Sequence, residues 1–196
     1  MKPHSVASER NRGPILERLR EYLPEPATVL EIGAGTGQHA VHFAAAMPWL
    51  TWVTTDVAAN LPGIRAWIEE AALPNVRGPI ALDVLEVPWP VDAADHLFSA
   101  NTAHIMAWPA VEAMFAGAGR VLPGSGRFFL YGPFNREGAY TSESNRRFDE
   151  ALRMTDPSMG LRDDVALDEL AARAGLERMA DLAMPANNRL LIWERR

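Results

Sequence analysis

Val29-Leu-Glu-Ile-Gly-Ala-Gly-Thr-Gly-Gln38 is the stretch on which the fold turns. The run from Thr28 to Gly33 is short, β-branched and ends in glycine, the pattern of a buried parallel strand. Gly33, Gly35 and Gly37 then alternate with Ala34 and Thr36. Glycines at this spacing let the backbone turn sharply and let a ligand approach with no Cβ in the way. Helical spacing follows from Gly37 to Met47, so the amides of a helix N-terminus point at whatever the loop holds.

Moving outward, a second strand from Thr51 to Thr55 ends at Asp56, nineteen residues after Gly37. An acid there is placed to accept hydrogen bonds from both hydroxyls of a ribose. A third strand, Pro79 to Asp83, ends in an acid able to accept from an adenine amino group. One acid at a strand end is most often a solvated side chain; two on successive strands beside a glycine loop describe a nucleoside pocket. Dinucleotide loops usually read G-x-G-x-x-G, whereas this one reads G-x-G-x-G with Glu31 two residues ahead of it. A buried carboxylate at Glu31 repels a pyrophosphate and attracts an ammonium or sulfonium group. S-adenosylmethionine carries both cations and an adenosine.

The rest of the chain alternates strand and helix, predicting an α/β fold with a doubly wound, mostly parallel sheet. Pro14 is expected to open a helix over 15–23 that Pro24 stops, and Ile64 to Ala72 reads as another. Asp95 to Asn101 and Arg127 to Tyr131 read as the fourth and fifth strands, with a helix at Val111 to Val121 between them. Gly132 to Asp164 is too long and polar for a connector, and predicts a lid with its own helix around Ser144 to Met154. A helix at Val165 to Ala174 precedes strands at Leu176 to Met184 and Arg189 to Trp193. The turn chemistry of Pro185-Ala-Asn-Asn188 makes that pair an antiparallel hairpin.

Composition narrows the function classes. The chain has 196 residues, 48% hydrophobic and 22% charged, which is one globular domain's worth with no sign of disorder. It has no cysteine, which removes disulfide scaffolds, thiolate metal sites and cysteine nucleophiles, and fits a reducing cytoplasm. The net charge of −6 lacks the footprint of a non-specific nucleic-acid binder. Residues 23–120 alone hold ten acids and three arginines, a net of −7, which suits a neutral or cationic ligand. No apolar run reaches membrane-spanning length, and the polar start of the chain has no signal core, so neither a membrane nor secretion is expected.

On the glycine loop, Asp56, Asp83 and the closing hairpin, the chain resembles the class I S-adenosylmethionine-dependent methyltransferases. The resemblance implies a Rossmann-like seven-stranded sheet of order 3-2-1-4-5-7-6 with strand 7 antiparallel. Further stretches are similar to the methyltransferase-like protein 26 family, a group catalogued as a domain of unknown function. These are Ser8-Glu-Arg-Asn-Arg12, Gly35-Thr-Gly-Gln-His-Ala40, Tyr131-Gly-Pro-Phe134, Thr141-Ser-Glu-Ser-Asn145, Phe148-Asp149 and Met184-Pro-Ala-Asn-Asn188. They run over nearly the whole chain and imply one methyltransferase domain over 1–196, with a cover helix at 1–23, the lid at 132–164 and the hairpin at 176–195.

The cofactor positions that follow are Glu31, Gly33, Ala34, Gly35, Gly37, Asp56, Asp83 and Val84. Arg10 and Asn11 are expected to fold over the pocket, where an arginine fork suits the methionine carboxylate. Asn101, at the end of the fourth strand, is expected to contact the methionine portion or to line the methyl site. Methyl transfer is an in-line displacement that rests mainly on positioning, and needs a base only where the nucleophile must lose a proton. His104 is the candidate base, with a helix-entry histidine satisfied by backbone as an equal alternative, and Tyr131 is the candidate orienting hydroxyl. Asn101 is not followed by the Pro-Pro-Tyr seen in amino-group methyltransferases of nucleic acids, which favours a small-molecule acceptor. Trp108 and Phe134 supply aromatic walls, and Tyr140, Asn145, Arg162, Asn187 and Asn188 meet the acceptor from the lid and hairpin. Core packing or a surface turn accounts for each of these equally well. His39 and His42 stand one helical turn apart with no third ligand near, so no metal is expected. Two other readings stay open: an NAD-dependent oxidoreductase, disfavoured by Glu31 and by the lack of a Tyr-x-x-x-Lys pair, and a non-catalytic nucleoside-binding module. Acceptor chemistry and oligomeric state are not readable.

Overall fold

Ser5 starts the first helix: its hydroxyl accepts from the Ser8 amide at 3.1 Å, and α1 runs from Val6 to Tyr22. The computed structural model describes residues 2–196. The expected opening at Pro14 is thus overturned by a capping residue nine positions earlier. Pro14 sits inside the helix, where its missing N–H deprives only the carbonyl of exposed Arg10, a group that water can reach.

Seven strands form one mixed sheet of order β3-β2-β1-β4-β5-β9-β8. They are β1 (Ala27–Ile32), β2 (Leu50–Asp56), β3 (Val76–Ala81), β4 (His96–Ala100), β5 (Arg127–Gly132), β8 (Leu176–Met184) and β9 (Asn188–Arg195). This is the expected order, with the labels shifted by two short strands, β6 (Phe134–Asn135) and β7 (Arg162–Asp163), that pair with each other in a separate ladder. β1 pairs in parallel with β2 and β4, while β9 runs antiparallel to both β5 and β8. The helices are α2 (Gln38–Ala46), α3 (Leu61–Ala71), α4 (Trp108–Val121), α5 (Glu143–Thr155) and α6 (Asp164–Arg173). The third strand ends earlier than expected, at Ala81, so Asp83 stands in the exposed segment beyond it.

The chain divides into two compact units, one through Phe98 and one from Ser99 to Arg196. The first unit is built on an aromatic cluster: Phe43 of α2 meets Trp52 of β2 and Phe98 of β4 at ring-centre distances of 5.3 and 5.5 Å. Trp52 and Phe98 close the triangle at 5.6 Å. Edge and tilted pairs of this kind add roughly 0.5–1.5 kcal/mol each beyond the burial itself. Ile15 and Leu19 of α1, wholly buried, belong to the same apolar interior.

The second unit has its own aromatic knot, with Phe115 of α4 at 5.3 Å from Phe128 of β5 and 5.1 Å from Trp193 of β9. Trp193 is anchored by its indole N–H donating to Asp168 of α6 at 2.9 Å. Arg189 on β9 spans two buried or half-buried carboxylates, donating to Asp164 at 2.9 Å and to Asp181. The insert carries its expected helix as α5, capped by Ser142, whose hydroxyl accepts from the Asn145 amide at 3.1 Å. Phe134 pairs with Arg162 and Asn135 with Asp163, so the β6–β7 ladder ties the two ends of the insert together.

Candidate functional site

The glycine loop reverses direction through left-handed residues, with φ of +71° at Gly33, +60° at Gly35 and +89° at Gly37. Only glycine takes this conformation at no steric cost. The amides of Gly33 and Ala34 both donate to the Thr55 carbonyl at 3.0 Å, which binds the loop to the end of β2. The Gly35 amide donates to Oδ2 of Asp56 at 2.7 Å. A Cβ at Gly35 would meet nothing within 4 Å, so the loop has open space at its crest. At Gly37 the reason for glycine is packing, since a Cβ there would lie 3.1 Å from the Ile64 Cα of α3.

Asp56 is more heavily used than its role at a strand end suggested. Oδ1 accepts from the Val57 amide at 2.7 Å and the Asn60 side chain at 2.8 Å, while Oδ2 takes Gly35. A carboxylate offers about four lone-pair positions, so roughly one is left for a ligand hydroxyl. Two ribose hydroxyls would need Asn60 to move aside. Asp83 is exposed and its Oδ1 accepts from the Leu85 amide at 3.0 Å; Val84, next to it, is buried. The Leu82 amide donates to the Asp56 carbonyl at 2.9 Å and draws this segment to the end of β2.

Glu31 is buried behind the loop, and its Oε2 accepts from the Trp52 indole at 2.7 Å. Burial raises its pKa to about 7; the Trp52 bond opposes the shift and the charge on Asp56 adds to it. A cation near this carboxyl reverses the shift.

In α1, Arg10 is exposed, while Asn11 is tied down through its Oδ1, 2.7 Å from Nε2 of His39. His39 is stacked on Phe43 at 5.3 Å and lowered to about 4, chiefly by burial. With Nε2 engaged by Asn11, His39 is a core histidine, and no group of three metal-ligating side chains occurs among the described residues. Reading from sequence missed Gln38, which is wholly buried and links loop to helix. Its Oε1 accepts from the Ser5 amide at 2.5 Å and from the Thr36 hydroxyl at 3.0 Å. Its place directly after the last glycine was the available signal.

In the second unit, Asn101 leaves β4 with φ of +58°, a left-handed turn that asparagine tolerates, and its amide donates to the Tyr131 carbonyl at 2.9 Å. The next turn carries His104, whose ring is buried edge-on to Phe148 of α5 at 5.3 Å. A Cβ at Gly132 would lie 3.7 Å from His104 Nδ1 and 3.5 Å from the tip of Phe134, which places both rings against that glycine. His104 is lowered to about 4, mainly by burial and then by the Arg162 charge, so its imidazole is neutral at physiological pH.

Tyr131 and Phe134 are almost fully buried, and Trp108 is half-buried with the Arg162 guanidinium 5.8 Å from its ring centre. Arg162 itself is buried and donates to backbone carbonyls. Tyr140 is exposed but its hydroxyl donates to Asp149 at 2.7 Å. Asn145 and Asn187 are brought together: the Asn145 amide nitrogen donates to the Asn187 carbonyl at 3.0 Å, and that of Asn187 to the Ser144 hydroxyl at 3.1 Å. Asn188 donates to the Pro185 carbonyl at 3.0 Å within the same turn.

The sheet order, its antiparallel β9 and the glycine loop after β1 define a Rossmann-like fold of the methyltransferase type. An apo S-adenosylmethionine-dependent methyltransferase, SibL, superposes with a TM-score of 0.80 at 21% identity, over 96% of this chain and 55% of that one. The mitomycin 7-O-methyltransferase MmcR does so with 0.83 at 16%, over 97% and 54%. CalO1, a methyltransferase of calicheamicin biosynthesis in its SAH-bound form, gives 0.78 at 19%, over 97% and 54%. At these identities the likeness is one of fold, and the chain spans about half the length of each. The chain belongs to the family described as protein of unknown function DUF938, whose model matches residues 2–195. No helix among the described residues is long and apolar enough to cross a membrane.

Proposed function

We propose that this protein is an S-adenosylmethionine-dependent methyltransferase acting on a small-molecule acceptor. The observation that carries the reading is the loop of three left-handed glycines drawn onto Asp56, with Glu31 buried behind it. The residues present fit the cofactor: open space at Gly35, a free acceptor position on Asp56 for a ribose hydroxyl, and Asp83 exposed for an adenine amino group. Glu31 complements a cationic methionine portion, with Val84 as an apolar wall and Arg10, Asn11 and Asn101 as further contacts. When bound, the cofactor supplies an electrophilic methyl group on a sulfonium. The chain's own part is to bind, orient and exclude water.

His104, neutral at physiological pH, takes the proton of an acceptor that has one to lose. Tyr131 contributes through its carbonyl, which fixes Asn101 at the start of the His104 turn. Trp108 and Phe134 shape the acceptor side, and the insert acts as a lid whose Tyr140 and Asn145, with Asn187 of the turn, face the acceptor. We read 1–196 as one methyltransferase domain, working in the cytoplasm, and kin to methyltransferase-like protein 26 on the motifs quoted above. The net charge of −6 supports a small acceptor over nucleic acid.

Titration calorimetry with S-adenosylmethionine and its demethylated product tests the reading. Binding of both is expected, and a folded protein that binds neither would overturn it. A screen of metabolite classes for homocysteine release, after hydrolysis of the demethylated product, then identifies the acceptor.

A further inference from the structure

The turn that carries His104 is gripped by the insert on both sides of the histidine. Nε of Arg162 donates to the Ala103 carbonyl at 2.9 Å, and one terminal nitrogen donates to the carbonyls of Met106 and, at 2.9 Å, Ser158. The Gly160 amide donates to the carbonyl of His104 itself at 2.9 Å. The carbonyls of residues 103, 104 and 106 therefore all receive donors from residues 160 and 162. Phe148, from α5 of the same insert, closes against the imidazole edge.

We propose that Arg162 is a positioning residue for His104, holding the Ala103–Met106 turn from the insert so that the imidazole keeps one orientation beside Gly132. The proposal rests on the reading of His104 as the proton acceptor. Arg162 is 8% exposed, and the nearby carboxylate, Asp149, is paired with Arg153 and bonded to Tyr140 and the Leu161 amide instead. A guanidinium buried on backbone carbonyls and the Trp108 ring is costly, and an apolar side chain of similar volume would fill the space at less cost. Its fork does what an apolar chain cannot, by reaching carbonyls on two sides of the histidine at once. Burial is the main reason the imidazole stays unprotonated, and the Arg162 charge adds to it by opposing formation of an imidazolium. The charged groups around the imidazole are Arg162 and, behind it, the Asp149–Arg153 pair; Phe148 and Phe134 present apolar surface.

The test is an NMR titration of the His104 ring in the full chain, without cofactor or acceptor, followed by the pH profile of methyl transfer. In the unaltered protein a single sharp ring resonance with cross-relaxation to Phe148 is expected. Arg162→Gln removes the charge but not the burial, and is expected to raise the midpoint above about 4 while burial still holds it below 6.5, with the acid limb of activity moving in step. Arg162→Lys keeps the charge but not the fork. It is expected to leave the midpoint low, to weaken the Phe148 cross-peak, and to lower kcat roughly tenfold with KM for the methyl donor unchanged. A folded Arg162→Gln whose midpoint, resonance and pH profile all match the parent would overturn the proposal. If Arg162→Gln does not fold, the Lys variant decides: an unchanged cross-peak and kcat overturn it. Because the titration needs no ligand, failure to bind S-adenosylmethionine would sink the methyltransferase reading while leaving this result standing.

Discussion

The Gly35 amide donates to the Asp56 carboxylate at 2.7 Å, fastening the crest of the glycine loop to the end of β2. The same carboxylate holds Val57 and Asn60, so one side chain organises both walls of the candidate cradle. Asp56→Asn keeps the shape but puts a donor where acceptors are needed, next to three N–H groups. Hydrogen bonds to a charged group contribute roughly 1.5–3 kcal/mol. The variant is expected to lose about that much stability in denaturant unfolding, and at least tenfold in S-adenosylmethionine affinity by calorimetry. Unchanged affinity would remove Asp56 from the site.

Gly35 and Gly37 should separate ligand binding from folding. Both are left-handed, so an alanine at either costs on the order of 1–2 kcal/mol in backbone strain. At Gly37 the methyl also lies 3.1 Å from the Ile64 Cα, whereas at Gly35 it meets nothing within 4 Å. Gly37→Ala is expected to lower Tm markedly more than Gly35→Ala. Gly35→Ala is expected to lose cofactor affinity out of proportion to its modest stability loss. Equal Tm values for the two would contradict the packing account.

Glu31 makes a signed pH prediction. Its folded pKa of about 7 stands above the ordinary 4.5, so the folded state binds the proton more tightly than the unfolded one. Its contribution to stability is full below pH 4.5 and is lost as pH rises through 7, up to roughly 3 kcal/mol. Glu31→Gln is expected to flatten that stretch of a stability-against-pH curve. Binding of a cationic ligand reverses the shift, so proton release on binding S-adenosylmethionine at pH 6.5 should appear as a buffer-dependent heat. No buffer dependence would place the cation away from Glu31.

Ala186 sits in the β8–β9 turn at φ +58° and ψ +38°, and Asn187 follows it at +58°. An alanine in that region is strained where glycine is not. Ala186→Gly is expected to raise stability by up to about 1 kcal/mol, measured by urea unfolding. A loss of similar size would mean the turn is set by something other than this backbone constraint.

The strand–loop–helix unit at Val29–Gln38 was legible because its signals are local: alternate glycines, a β-branched run and helical spacing after it. The hairpin was legible for the same reason. The α1 start was misread because Pro14 is a loud signal and Ser5 a quiet one, and a cap is recognised only when its hydroxyl meets an amide three residues on. Gln38 and Arg162 show the other limit. Both act through carbonyls or amides far along the chain, 33 residues away for Ser5 and 59 for Ala103, and no spacing rule reports such partners.

What the sequence determined by itself was the order of elements, the glycine loop and the acids near strand ends, since each follows from short-range sterics and periodicity. Only the tertiary structure decided how many acceptor positions Asp56 retains, that Glu31 is buried against Trp52, and that Arg162 grips the turn of His104. These depend on which distant groups fill a side chain's lone pairs and exclude its water, and that is set by packing.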